Sequence, residues 1–160
     1  MRRLPVYFLL DTSGSMYGEP IHALNNALSG MINTLRQDPQ ALDSLWISII
    51  TFDRDVNEVC PLTELAMFQL PEITCPQSGP THTGKALELL YSKVQSDIKK
   101  STENQKGDWK PLLFLFTDGK PSDIQLYNEI APKVRNLNFG AIVACAAGNL
   151  ADDSKLKVLT

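Results

Sequence analysis

Residues 6–16 read VYFLLDTSGSM, and the fold turns on how that stretch is taken. Five consecutive apolar side chains are too few for a buried helix. Because turn-formers close the run, it reads as a strand covered on both faces. Three more runs have the same character: LWISIITF (45–52), LLFLF (112–116) and FGAIVACAA (139–147). Between them lie helical stripes. Ile21, Leu24, Leu28, Met31 and Leu35 recur at three- and four-residue spacing just after Pro20, a favoured first-turn residue. Leu87, Leu90, Val94 and Ile98 make a second stripe; Tyr127, Ile130, Val134 and Leu137 make a third, which Pro132 is expected to kink or interrupt. DRDVNEVCPL (53–62) alternates instead, and with Val56 and Pro61 so close to Phe52 it predicts an antiparallel edge hairpin. The expected architecture is a three-layer α/β/α doubly wound domain spanning 1–160, its sheet mostly parallel with one antiparallel edge strand.

Composition narrows the function. A length of 160 residues suffices to bury roughly 70% of the unfolded surface in one core. A net charge of -3 and a pI near 5.3 give no footprint for nucleic acid or for an anionic membrane. No apolar run approaches the roughly 20 residues of a membrane span, and the short run after Arg2 and Arg3 is read as a strand rather than a leader. The three cysteines, Cys60, Cys75 and Cys145, are odd in number and lack C-x-x-C spacing, which predicts reduced thiols in a cytoplasmic protein.

The chemistry-bearing residues gather at strand ends. Strand one delivers Asp11, Ser13 and Ser15 on one tight turn, and LLFLF delivers Asp118 followed by Gly119. In a doubly wound sheet the first and fourth strands are commonly neighbours where strand order reverses, and ligands bind in that crevice. Asp11 and Asp118 are therefore expected side by side. Two carboxylates so placed repel unless a cation or proton intervenes, and hydroxyls with carboxylates are hard ligands suited to Mg²⁺, Mn²⁺ or Ca²⁺ rather than zinc.

D-x-S-x-S on the first strand, a threonine before the next long helix and T-D-G after the fourth strand resemble the von Willebrand factor A (vWA) domain and its metal-ion-dependent adhesion site (MIDAS). The resemblance implies Asp11, Ser13, Ser15, Thr81 and Asp118 as ligands of a divalent cation, Mg²⁺ first, with a vacant position for a carboxylate of a protein partner. It implies recognition rather than catalysis. The longer strings VYFLLDTSGSMYGEPI, SIITFDRD, PLTEL and QKGDWKPL are similar to the bacterial tellurium-resistance TerY-type proteins. That implies a bacterial cytoplasmic setting in tellurite or stress resistance, with an associated protein kinase or PP2C-type phosphatase as partner. Members of the family usually add a sixth strand and a final helix, so the C-terminal strand and helix are expected to be missing. Met16, Tyr17 and His82 are expected on the rim that meets the partner.

Other readings fare worse. Gly79 to Lys85 matches G-x-x-x-x-G-K, but PEITCPQ is a poor strand to precede a phosphate loop, and Ala86 stands where that loop needs Ser or Thr. A Ser nucleophile lacks its G-x-S-x-G elbow. A Mg²⁺-dependent phosphohydrolase or nucleotide-binding protein using Asp11 and Asp118 is the alternative from another class. Asp53, Arg54 and Asp55 read as hairpin-turn charges, and His22 as a surface residue.

Overall fold

The computed structural model describes residues 2–75, 80–117, 121–137 and 139–146, with the backbone alone at 15 and 146. Five strands form one sheet in the order β3-β2-β1-β4-β5: β1 (Leu4–Asp11), β2 (Leu45–Phe52), β3 (Val56–Glu64), β4 (Leu112–Thr117) and β5 (Ala141–Ala146). β1 runs parallel to β2 and β4, β4 runs parallel to β5, and among the described strands only β3 is antiparallel, against β2. Strand order reverses between β1 and β4, as expected of a doubly wound sheet.

The helices are α1 (Glu19–Arg36), α2 (Pro39–Ser44), α3 (Thr83–Asp97) and α4 (Ile124–Arg135), with a 3₁₀ turn at Gly14–Met16. β1 alternates its side chains between two cores. Tyr7 and Leu9 join Ile50, Phe52, Leu113 and Leu115 against α3 and α4. Val6, Phe8 and Leu10 join Ile47 and Ile49 against α1. Burial on both faces is why the strand is apolar throughout rather than alternating.

Three details depart from expectation. In α1 the buried set is Ile21, Leu24, Leu28 and Ile32, with Met31 only half-buried. A strict step of three rotates off the buried face, and the step of four from Leu28 to Ile32 stays on it. α4 runs through Pro132 to Arg135 without ending there. Among the described residues α2 is an unpredicted helix: Asp38 accepts a 2.9 Å hydrogen bond from the Gln40 amide and Pro39 fills the first position. This is a short capped turn with no apolar stripe to announce it.

Candidate metal centre

β1 and β4 are in register from Val6 opposite Leu112 to Leu10 opposite Phe116, which sets Asp11 beside Thr117 at the carboxyl edge of the sheet. Asp11 is fully buried. Its Oδ1 accepts the Ser13 amide at 2.7 Å, bending the chain off the strand, and its Oδ2 accepts the Thr117 hydroxyl at 2.7 Å. Ser13 is fully buried, and Thr81 nearly so. The side chain of Ser15 and the whole of Asp118 lie outside the described residues, although Asp118 directly follows Thr117.

Asp53, which the pattern left as a hairpin-turn charge, and Ser122 and Asp123, which it did not single out, hold this end together. Asp53 ties three loops. Its Oδ2 accepts the Thr12 hydroxyl at 3.0 Å, its Oδ1 accepts the Asp55 amide at 3.0 Å, and its carbonyl accepts the His82 amide at 3.0 Å. Asp123 sits in front of α4 but does not cap it. Its two oxygens accept the Gly84 and Lys85 amides at 3.0 and 2.9 Å, supplying negative charge to the start of α3. Ser122 clasps Thr81 in both directions: its Oγ accepts the Thr81 amide at 2.9 Å and its amide donates to the Thr81 carbonyl at 2.6 Å. Thr81 is thus fixed to the segment that follows β4. The only sequence signal for this was a Ser-Asp pair before a helix, which reads as an ordinary cap.

The expected rim is corrected at one position. Met16 is fully buried in the α1-side core, because the 3₁₀ turn points it inward beneath the helix. Tyr17, next in sequence, is half-exposed. His82 is half-buried, with Nδ1 2.8 Å from the Arg54 carbonyl. A carbonyl only accepts, so Nδ1 is the donor. His22 is exposed, as expected. Cys75 has its thiol pKa raised by burial and then by the charges of Asp11 and Asp53, which makes it a poor nucleophile.

The donor set fits a hard cation. No group of three or more His, Cys, Asp or Glu side chains gathers among the described residues, so a thiolate or imidazole cage is absent there. The buried Asp11 carboxylate takes the Thr117 hydroxyl, and Ser13 and Thr81 are buried at the same end of the sheet. Thr83 Oγ1, in the first turn of α3 two residues after Thr81, is buried with no hydrogen-bond partner among the described residues. Burying a polar atom without a partner is costly, so an orphan at this helix start points to a ligand or water bound nearby.

In a doubly wound α/β domain, the crevice at the strand switch point is where ligands bind. Residues 6–160 match the family model of the von Willebrand factor type A domain, and the chain belongs to that family. No curated protein matches it by sequence. Among solved structures, proximal thread matrix protein 1 of the mussel byssus, with a zinc-occupied MIDAS motif, is similar at 17% identity and TM-score 0.68, covering 99% of this chain and 39% of that one. The VWA2 paralog of ArnB from Sulfolobus acidocaldarius is similar at 20% identity and TM-score 0.61, with 99% and 39% covered. The pilus adhesin SpaC of Lactobacillus rhamnosus GG is similar at 16% identity and TM-score 0.60, with 76% and 16% covered. The chain spans well under half the length of these three proteins. Domains of this family typically mediate protein–protein interaction, and a divalent cation at the MIDAS is typical of them. The mussel protein's zinc contradicts, for that relative, the expectation that such a site disfavours zinc. Among the described residues, no helix is long and apolar enough to cross a membrane.

Proposed function

We propose that this vWA domain carries a MIDAS of its own, with Asp11, Ser13, Ser15, Thr81 and Asp118 as the ligands of one divalent cation. In this reading the cation grips a carboxylate of a protein partner. The observation that carries it is the buried Asp11 carboxylate at the β1–β4 switch point, with Ser13 folded onto it and Thr81 clasped to the segment after β4. When bound, the cation would supply Lewis acidity toward an anionic oxygen of the partner. The chain's own residues hold its site rigid: Asp53 and Ser122 lock three loops, and burial keeps water from competing for the acid. Mg²⁺ is the cation we favour, because the ligands are hard oxygens and no imidazole or thiolate completes the set among the described residues. Tyr17 and His82 form the rim on which a partner would rest. The resemblance of several strings to TerY-type proteins supports a role in bacterial tellurite or stress resistance in the cytoplasm, with a kinase or PP2C-type phosphatase as the candidate partner.

Manganese titration followed by electron paramagnetic resonance tests the site. One Mn²⁺ per chain is expected, displaced by Mg²⁺ and lost in Asp11→Ala and Thr81→Val. Undiminished Mn²⁺ binding in both variants would overturn the assignment. Partner capture that survives EDTA would overturn the grip.

A further inference from the structure

At the opposite end of the sheet the segment between α3 and β4 folds back on itself. The Asp108 amide donates to the Lys99 carbonyl at 2.8 Å, the Thr102 amide to the Gln105 carbonyl at 2.8 Å, and the Gly107 amide to the Ser101 hydroxyl at 2.9 Å. Gly107 is obligatory there, since a Cβ would stand 2.3 Å from the Lys99 carbonyl oxygen. Arg3 staples the loop to the start of β1. Its guanidinium makes a two-pronged pair with Asp108 at 2.9 and 2.7 Å and donates to the Asp97 carbonyl at 2.8 Å. Arg2 is held as firmly, with Nε on the Gly107 carbonyl at 2.9 Å and its guanidinium carbon 3.8 Å over the Trp109 ring.

The result is a concavity of about 300 Å³ whose wall carries Arg2, Arg3, Lys99, Lys100 and Lys106, with Thr102 beside them and Asp108 as its one acid among the described residues. Arg3 and Asp108 neutralise each other, so four positive charges remain on the wall of a chain whose net charge is -3. Glu103 belongs to the loop but not to the wall. The carboxyl end of α3 favours a cation nearby, and one lysine would meet that need. Three lysines of one hydrogen-bonded loop, with Arg2 fastened to it, exceed it.

We propose that this concavity binds a compact polyphosphate, a di- or triphosphate group either free or borne by a nucleotide. Three or four negative charges on such a group match the four cations, and its size fits the volume better than that of a single phosphate. The site lies at the amino-terminal edge of β1 and β4, away from the candidate metal centre, and it stands or falls without it.

Calorimetric titration in EDTA, so that no metal bridges the anion to the other end, tests the proposal. Tripolyphosphate, pyrophosphate, ATP and sulfate are compared at constant ionic strength. Saturable binding of one polyphosphate per chain is expected, weakened about tenfold or more in the Lys100→Gln, Lys106→Gln double variant and weakened further by added salt. Lys85→Gln, at the far end of α3, is expected to bind as the unaltered protein does. ATP binding as tightly as tripolyphosphate would identify a nucleotide as the source; tripolyphosphate alone would identify the free anion. Absence of saturation, sulfate binding as tightly as tripolyphosphate, or equal loss in Lys85→Gln and the double variant would each overturn the site.

Discussion

Gly84 shows how little room the candidate metal centre leaves at its edge. A Cβ there would meet the Tyr127 amide at 2.7 Å, the Asp123 carboxylate at 3.0 Å and the Leu126 backbone at 3.1 Å. The first two are the groups that join the starts of α3 and α4: Asp123 accepts the Gly84 amide, and the Tyr127 amide belongs to the first turn of α4. Backbone cannot step aside as a flexible side chain does, so Gly84→Ala is expected to push the two helix starts apart and to cost about 2–3 kcal/mol. Urea unfolding at neutral pH reads this as a lower midpoint with an unchanged slope. Asp123→Asn keeps one acceptor oxygen for two amides and is the smaller perturbation, so the loss should be larger for the glycine than for the acid. The sequence offered Gly84 only as part of a spurious phosphate-loop pattern. Its true constraint is a contact forty residues away, which no local spacing encodes.

At the scale of elements, legibility followed burial. β2 was legible to the residue because both its faces are covered, and apolar runs bounded by turn-formers have one interpretation in a doubly wound sheet. The placing of Asp11 and Ser13 at the sheet's carboxyl edge was legible because strand order reverses between β1 and β4 there, whereas Thr81 came only from the family resemblance. α2 was missed because six residues held by a cap bury no stripe, and the role of Asp123 because its bonds cross from one helix to the next. The loop between α3 and β4 read only as polar, although Arg3 and Asp108 fasten it to β1. Burial works to raise the Asp108 pKa, but the Arg3 hydrogen bond, the Lys99 amide and the nearby positive charges outweigh it and hold the carboxyl below its ordinary value. A depressed carboxyl stabilises the fold fully above the unfolded aspartate value of about 4, and that share is lost as pH falls through the folded value. Asp108→Asn is therefore expected to cost about 2–3 kcal/mol at pH 7, since it strands Arg3 with 15% of its side chain exposed. Its stability should also fall less steeply than that of the unaltered protein between about pH 4 and pH 2. Parallel pH curves for the two proteins would show that the pair does not carry the shift.

The whole molecule divides its labour between the two ends of one rigid sheet. Two apolar cores, one under α1 and one under α3 and α4, sandwich β1 and β4. The Phe8 and Phe114 rings stack at 5.4 Å across the central pair, so the strands that carry the carboxyl-edge acid also start beside the cationic loop. A cation that binds the folded carboxyl edge and not the unfolded chain must stabilise the whole domain by mass action. At a hundred times its dissociation constant the gain is about 2.7 kcal/mol. For a chain of this length that corresponds to a rise in Tm of about 5–10 °C. Thermal unfolding across a Mg²⁺ series is expected to rise with the logarithm of concentration, to return to its starting value in EDTA and to vanish in Asp11→Asn. Asp11→Asn retains the side-chain shape and an acceptor for the Ser13 amide but loses the charge, so a retained Mg²⁺ response in it would place the cation elsewhere. Because the fold is one packed sheet rather than two hinged halves, the same rise should appear at the far end. Trp109 fluorescence and far-ultraviolet circular dichroism should report one shared midpoint at every Mg²⁺ concentration. Two midpoints, with only the circular dichroism responding to metal, would mean that the cationic loop unfolds independently of the carboxyl edge, and the account of the sheet as a single unit would fail.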